Sequence, residues 1–119
     1  MSDLKPTGAK IKLGDKEYTL LFDINAIDDI QDHLDIPISQ LSDLLKDERK
    51  AYKVLKYLLT TLINEGIDDA EKGEEHVTEK FVGRKITPGN MSELKNGILA
   101  SFIGSTPEPT DDSPNLKSE

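Results

Sequence analysis

Residues 10–30 constrain the fold of this chain more than any other segment, because two strand patterns lead directly into a helix pattern. Apolar and polar residues alternate on both sides of Gly14 and Asp15, where glycine tolerates the positive φ of a tight hairpin turn. The apolar positions are Ala9, Ile11, Leu13, Tyr18, Leu20 and Phe22. An isolated hairpin is only marginally stable in water, so we expect this apolar face to pack on helices.

The segment after the hairpin predicts a helix that begins at Asp23, whose carboxylate is placed to accept a free backbone N–H. Its predicted buried stripe is Ile24, Ile27, Ile30 and Leu34. Pro37 interrupts the pattern, and a short helix is predicted from Ser39. Its inward residues are Leu41, Leu44 and Leu45.

The longest helix is predicted from Asp47 to about Asn64, with its end at Gly66. Its broad apolar face makes it the central helix of the core, and consists of Ala51, Val54, Leu55, Leu58, Leu59, Leu62 and Ile63. Its other side is basic and carries Lys46, Arg49, Lys50, Lys53 and Lys56. A last helix follows Asn90, which with Glu93 resembles a capping box. That helix carries Met91, Leu94, Ile98, Leu99, Phe102 and Ile103.

The net charge of −8 is concentrated in two segments. Residues 65–79 contain seven acidic residues and one lysine, and residues 104–119 contain four acidic residues and one lysine, so the rest of the chain carries +1. We therefore predict a mainly α protein with an N-terminal β-hairpin (α+β), a bundle of four to five helices in one domain over residues 9–103. Residues 1–8 are predicted to be a flexible arm, 65–85 an acidic loop insertion, and 104–119 a disordered acidic tail containing prolines. Within the insertion, a further helical turn at Val77, Phe81 and Val82 is left open.

The chain offers little for covalent or metal chemistry. It has no cysteine and two histidines. Asp29 and His33 lie four residues apart on one helix face, but zinc normally takes three or four protein ligands. There is no nucleophilic triad, Gly-rich phosphate loop, pair of carboxylates in an apolar setting or calcium-loop spacing. We predict that the protein is not an enzyme and needs no cofactor or metal. No apolar run approaches the roughly 20 residues of a membrane span, so a soluble protein is expected.

The basic face of the long helix leaves open a small nucleic-acid-associated regulator, since phosphate binding needs such a face. The acidic stretch attached to the same helix repels phosphate and so disfavours binding of nucleic acid. It favours instead a solvated basic face that meets acidic residues of a partner. In the last helix, Gly97, Ser101 and Gly104 form a strip of small residues that lets another backbone approach closely. The neighbour is either a helix of the same chain or a partner helix lying in a groove.

The order of these elements resembles the tail assembly chaperones of long-tailed bacteriophages and related gene-transfer particles. The resemblance rests on KIKLGDKEYTLLF, its continuation DINAIDDIQDHLDIPISQL, the helix VLKYLLTTLINEG and the closing ITPGNMSELKNGILASFI. The resemblance covers most of residues 10–103. It consists of the order of the elements and the pattern of apolar residues, and it includes no catalytic signature. The acidic insertion is longer and more charged than this pattern requires.

The resemblance implies a protein of the host cytoplasm that binds the tape measure protein, keeps it soluble and delivers it for tail polymerisation without ATP. It also implies self-association and, in many relatives, a longer form made by frameshifting. We expect no nucleic acid or membrane partner. Candidate partner-binding residues are Tyr18, Leu20, Leu94, Ile98, Leu99 and Phe102, most of which are also expected in the core. A structural component of a phage tail or head is the other open possibility.

Overall fold

The computed structural model describes residues 9–105, with side chains as far as Phe102. Strands β1 (Ala9–Leu13) and β2 (Lys16–Leu20) form an antiparallel hairpin. Helices follow as α1 (Ile24–Leu34), a 3-10 turn (Ile38–Gln40), α2 (Leu41–Lys46), α3 (Glu48–Ala70), α4 (Glu79–Lys85) and α5 (Met91–Ser105). The predicted class, a mainly helical protein with an N-terminal hairpin, is confirmed. The predictions for residues 1–8 and 106–119 lie outside the described part of the chain.

The hairpin forms where the alternating pattern places it. Ile11 pairs with Tyr18 and Leu13 with Lys16, while Gly14 adopts φ +70°, the left-handed region that glycine tolerates best. Ile11, Leu13 and Leu20 are buried, and the opposite face exposes Lys10, Lys12 and Glu17. The backbone N–H of Leu21 donates to the carbonyl of Leu62 on α3, so the second strand is fixed to the central helix.

Helix α1 begins as predicted, but its buried stripe is rotated. The Asp23 carboxylate accepts a hydrogen bond from the Ala26 N–H at 2.9 Å. Ala26 and Ile30 are fully buried, whereas Ile24 is 74% exposed. The prediction that Ile24 is buried is therefore wrong. At about 100° per residue, Ile24 lies roughly 120° around the helix from Ile30, outside a stripe that also includes Ala26.

Helix α3 is the centre of the core, as its apolar face predicts. All seven predicted residues of that face, from Ala51 to Ile63, are buried. The predicted end at Gly66 is wrong, because the helix continues to Ala70 and Glu71 closes it in the left-handed conformation at φ 55°. A Cβ at residue 66 would lie 2.6 Å from the Thr19 carbonyl oxygen, so glycine permits the close approach of β2.

The predicted acidic loop over residues 65–85 is also revised. Residues 65–70 belong to α3, and residues 79–85 form α4, which leaves residues 71–78 as the connection. Thr78 caps α4 by accepting a hydrogen bond from the Phe81 N–H at 3.0 Å. Val82, an apolar residue within the predicted loop, is fully buried. Its burial against the core is the physical reason that this segment is helical.

The start of α5 differs from a capping box. The Asn90 side chain accepts a hydrogen bond from the Thr87 N–H at 2.8 Å and donates to the Lys85 carbonyl oxygen at 2.8 Å. Asn90 therefore holds the loop between α4 and α5. At the other end, α5 runs to Ser105, so the domain boundary predicted after Ile103 falls inside a helix.

Candidate functional site

The six residues predicted to bind a partner fall into two groups. Leu20, Leu94 and Ile98 are buried in the core. Tyr18, Leu99 and Phe102 are partly buried and pack against that core, and the Phe102 ring lies 5.2 Å from that of Phe22. Only the second group has surface that a partner could reach in this folded state.

Two residues of the small-residue strip of α5, Gly97 and Ser101, contact the hairpin of the same chain. A Cβ at Gly97 would lie 2.7 Å from the Ile11 methyl carbon Cγ2, and the buried Ser101 hydroxyl donates to the Leu20 carbonyl oxygen at 2.8 Å. The neighbour predicted for this strip was a helix, either of this chain or of a partner. The structure corrects this to a strand pair, because the small residues let α5 lie against the hairpin.

An open groove between the hairpin and the connection from α3 to α4 is the candidate partner site that contains Tyr18. Its volume is about 480 Å³. Tyr18, Val77 and Phe81 supply its apolar surface, and all three are partly buried. We call this the Tyr18 groove; its lining residues are Lys16, Tyr18, Glu74, Glu75, His76, Val77, Thr78 and Phe81.

Specific polar contacts hold the walls of the Tyr18 groove in place. The Asn64 side chain donates to the Val77 carbonyl at 3.0 Å and accepts from the Val77 N–H at 2.8 Å, fixing the connection to α3. Across the groove, the Lys16 ammonium donates to the Glu74 carboxylate at 3.0 Å. That hydrogen bond and the Glu74 charge raise the pKa of Lys16. Sequence reasoning missed Val77 and Phe81 as groove residues, because nothing local indicates that the connection folds back on β2.

The two histidines have ordinary structural partners. His33 stacks on Tyr57 with ring centroids 3.9 Å apart, and His76 contacts the Asp68 carboxylate at 2.7 Å. Burial raises the pKa of Tyr57, whose hydroxyl donates to the Asp29 carbonyl at 3.1 Å. Within residues 9–102, no three His, Asp or Glu side chains converge on a position for a metal ion.

A pair of carboxyl groups joins the start of α1 to α3. Glu65 on α3 is partly buried and hydrogen-bonds with Asp23, the residue that caps α1. This hydrogen bond, with burial and the Asp23 charge, raises the pKa of Glu65 from 4.5 to about 7. The charge of Asp68 also raises this pKa, whereas a hydrogen bond with Asn25 lowers it. At pH values below this pKa, Glu65 is protonated and can donate to the Asp23 side chain.

This pair predicts a pH-dependent stability. Because the folded state holds the Glu65 proton more tightly than the unfolded state does, its contribution is present below about pH 4.5 and lost as pH rises through about 7. Glu65→Gln keeps a donor toward Asp23 and should raise the free energy of unfolding by about 1 kcal/mol at high pH, after allowance for solvent screening. Urea denaturation should show little difference between wild type and variant in mild acid. Glu17→Gln, on the exposed face of the hairpin, is the control, and an equal response of both variants to pH would contradict the assignment.

No helix among the described residues is long and apolar enough to cross a membrane. No protein-family model matches the chain, and neither a curated protein nor a solved structure is significantly similar to it.

Proposed function

We propose that this protein is a phage tail assembly chaperone that binds the tape measure protein and keeps it soluble in the host cytoplasm, without ATP and without enzymatic activity. The proposal starts from the sequence resemblance over residues 10–103. The element order on which that resemblance rests, a hairpin followed directly by helices, is the order of the folded chain.

The observation that carries the proposal is the Tyr18 groove. It combines apolar surface from Tyr18, Val77 and Phe81 with a charged rim at Lys16 and Glu74. A long amphipathic protein exposes apolar helix faces before it assembles, and an open groove of about 480 Å³ accommodates side chains from such a face. The charged rim keeps the groove soluble when it is empty.

Binding of this kind depends on repetition. Burial of apolar surface stabilises a contact by about 25 cal/mol per Å², so one groove of this size gives weak binding. Many copies along one polymer, linked by the self-association that we propose for the chaperone, would raise the overall affinity by avidity. The mechanism requires no nucleotide. Apolar contacts hold the partner, and tail polymerisation releases it because it competes for the same surface of the partner.

The test is co-expression with the tape measure protein encoded in the same genome, followed by co-purification and measurement of mass by light scattering. A soluble complex with many copies of this chain per partner would support the proposal. An insoluble partner, with this chain eluting alone as a monomer, would overturn it. Detection of the protein in finished particles would instead indicate a structural component of the tail or head.

Substitution of Tyr18 tests whether the partner binds in the Tyr18 groove. Tyr18→Ala should lower the amount of co-purified partner by about tenfold, because tyrosine is a frequent anchor of protein interfaces. Tyr57→Ala is the matched control, since Tyr57 is also partly buried but stacks on His33 away from the groove. Equal losses in the two variants would show that Tyr18 acts through stability rather than through binding. Circular dichroism and thermal unfolding of each variant would establish that both remain folded.

A further inference from the structure

A second surface surrounds Tyr52, on the side of α3 that faces the loop before α5. Tyr52 is a wall shared by two open grooves of about 420 Å³ each. One groove reaches Gly83 and Ile86, and the other reaches Pro88 and Met91. None of the residues that line these grooves belongs to the Tyr18 groove.

Tyr52 is unusual among the aromatic side chains of this protein. The chain has three tyrosines, three phenylalanines and no tryptophan, and all six rings lie among the residues that the structure describes. Tyr52 is 46% exposed, whereas each of the other five is buried or partly buried. Folding therefore leaves this one large ring available between two grooves.

The surface around Tyr52 is basic, although the protein carries a net charge of −8. Lys53 and Lys56 line one groove and Lys95 lines the other, where Glu48 is the acidic exception. Among the described residues, none of these three lysines forms an ion pair with a carboxylate. We call Tyr52, Lys53, Lys56, Met91 and Lys95 the Tyr52 patch. Lys53 is exposed, and Lys56 and Lys95 are half-buried.

We propose that the Tyr52 patch binds an amphipathic helical segment that carries acidic residues beside an apolar anchor. The anchor side chain lies in a groove against Tyr52, and the acidic residues meet Lys53, Lys56 and Lys95. The lysines and the grooves are then both used, since the groove residues Ile86, Pro88 and Met91 supply apolar surface for the anchor. This inference is independent of the tape measure proposal, because it concerns a separate surface and a partner defined by its chemistry.

The same observations favour an acidic protein segment over a nucleic acid. Single-stranded nucleic acid is held by several aromatic rings on which successive bases stack, whereas this patch has one exposed ring. A long polyanion also meets the repulsion of the net charge of −8, while a short segment with a few carboxylates meets little of it. An apolar anchor uses the grooves, and a phosphate backbone does not.

The experiment measures fluorescence anisotropy of a labelled synthetic helical peptide of about 20 residues, with leucine and phenylalanine at i, i+3 and i+4 spacing and glutamate beside them. A matched peptide carries lysine in place of each glutamate. The full-length protein should bind the acidic peptide at least tenfold more tightly than the basic one, and added salt should weaken the binding. Tyr52→Ala and the double variant K53E/K56E should each weaken it by about tenfold or more.

The control is K10E/K12E, which makes the same change in net charge on the exposed face of the hairpin. It should bind the acidic peptide within about twofold of wild type, and circular dichroism checks that every variant is folded. Equal weakening by the two double variants would reduce the effect to net charge and overturn the proposal. Tighter binding of a labelled oligothymidylate than of the acidic peptide would assign the patch to nucleic acid. Self-association lost in Tyr52→Ala, with no peptide binding in wild type, would assign it to a second copy of this chain.

Discussion

Leu94→Ala should lower the free energy of unfolding by about 3 kcal/mol. Leu94 lies on α5 and is 1% exposed, so removal of its side chain leaves a cavity in the core. Alanine has the highest helix propensity, so α5 itself is not weakened. The midpoint of thermal unfolding should fall by more than about 10 °C, measured by far-UV circular dichroism.

Leu99→Ala is the matched control, because it makes the same truncation five residues along the same helix. Leu99 is only partly buried, so the loss should be about 1 kcal/mol or less. Equal losses at the two positions would contradict the division of the predicted partner residues into core and surface groups. A small effect at Leu94 together with a large one at Leu99 would show that α5 is rotated relative to the structure described.

Gly66→Ala is expected to destabilise the protein by about 2 kcal/mol, although alanine favours a helix by about 1 kcal/mol over glycine. The added Cβ would lie 2.6 Å from the carbonyl oxygen of Thr19, and that neighbour is backbone rather than a flexible side chain. Either α3 or β2 must therefore move. The shift would also strain the hydrogen bond from Leu21 to Leu62, which is 3.2 Å long. Urea denaturation gives the free energy of unfolding directly.

Gly89→Ala is the control for this substitution. The nearest atom to a Cβ at residue 89 is the Thr87 hydroxyl oxygen at 3.6 Å, an ordinary contact distance. This variant should be as stable as wild type or slightly more so, since alanine reduces the freedom of the unfolded chain. A stabilising effect of Gly66→Ala would mean that helix propensity outweighs the contact with β2, and that the two elements are less closely packed than described.

The sequence predicted those elements that depend on neighbouring residues or on a regular repeat of apolar residues. The Gly14 turn and the Asp23 cap follow from neighbouring residues, and the apolar face of α3 repeats over four turns. The end of α3 could not be predicted in this way. Gly66 is an ordinary helix terminator by local rules, and the reason that it lies inside a helix is the backbone of Thr19, 47 residues earlier in the chain.

The candidate site was harder to predict because strand alternation does not say how deep a residue lies. Tyr18 and Leu20 share one face of β2, yet Leu20 is fully buried while Tyr18 lines an open groove. The difference comes from the helices at that end of the hairpin, where α3 is joined through the bond from Leu21 to Leu62 and α5 through the bond from Ser101 to Leu20. Similarly, the predicted basic face of α3 contains Lys53 and Lys56, but only the folded chain brings Lys95 and Met91 beside Tyr52.

The contact between α5 and the hairpin has a consequence for the order in which the protein reaches its native state. The hydrogen bond from Ser101 to Leu20 joins residues 81 positions apart, so the hairpin, the first element of the described residues, is completed by α5, the last of them. At a synthesis rate of about 5–20 residues per second, the ribosome needs roughly 4–16 seconds to make the intervening chain. During that time the nascent hairpin lacks the helix that covers Ile11. Its final packing is therefore a late event, reached only when translation of the domain is nearly over.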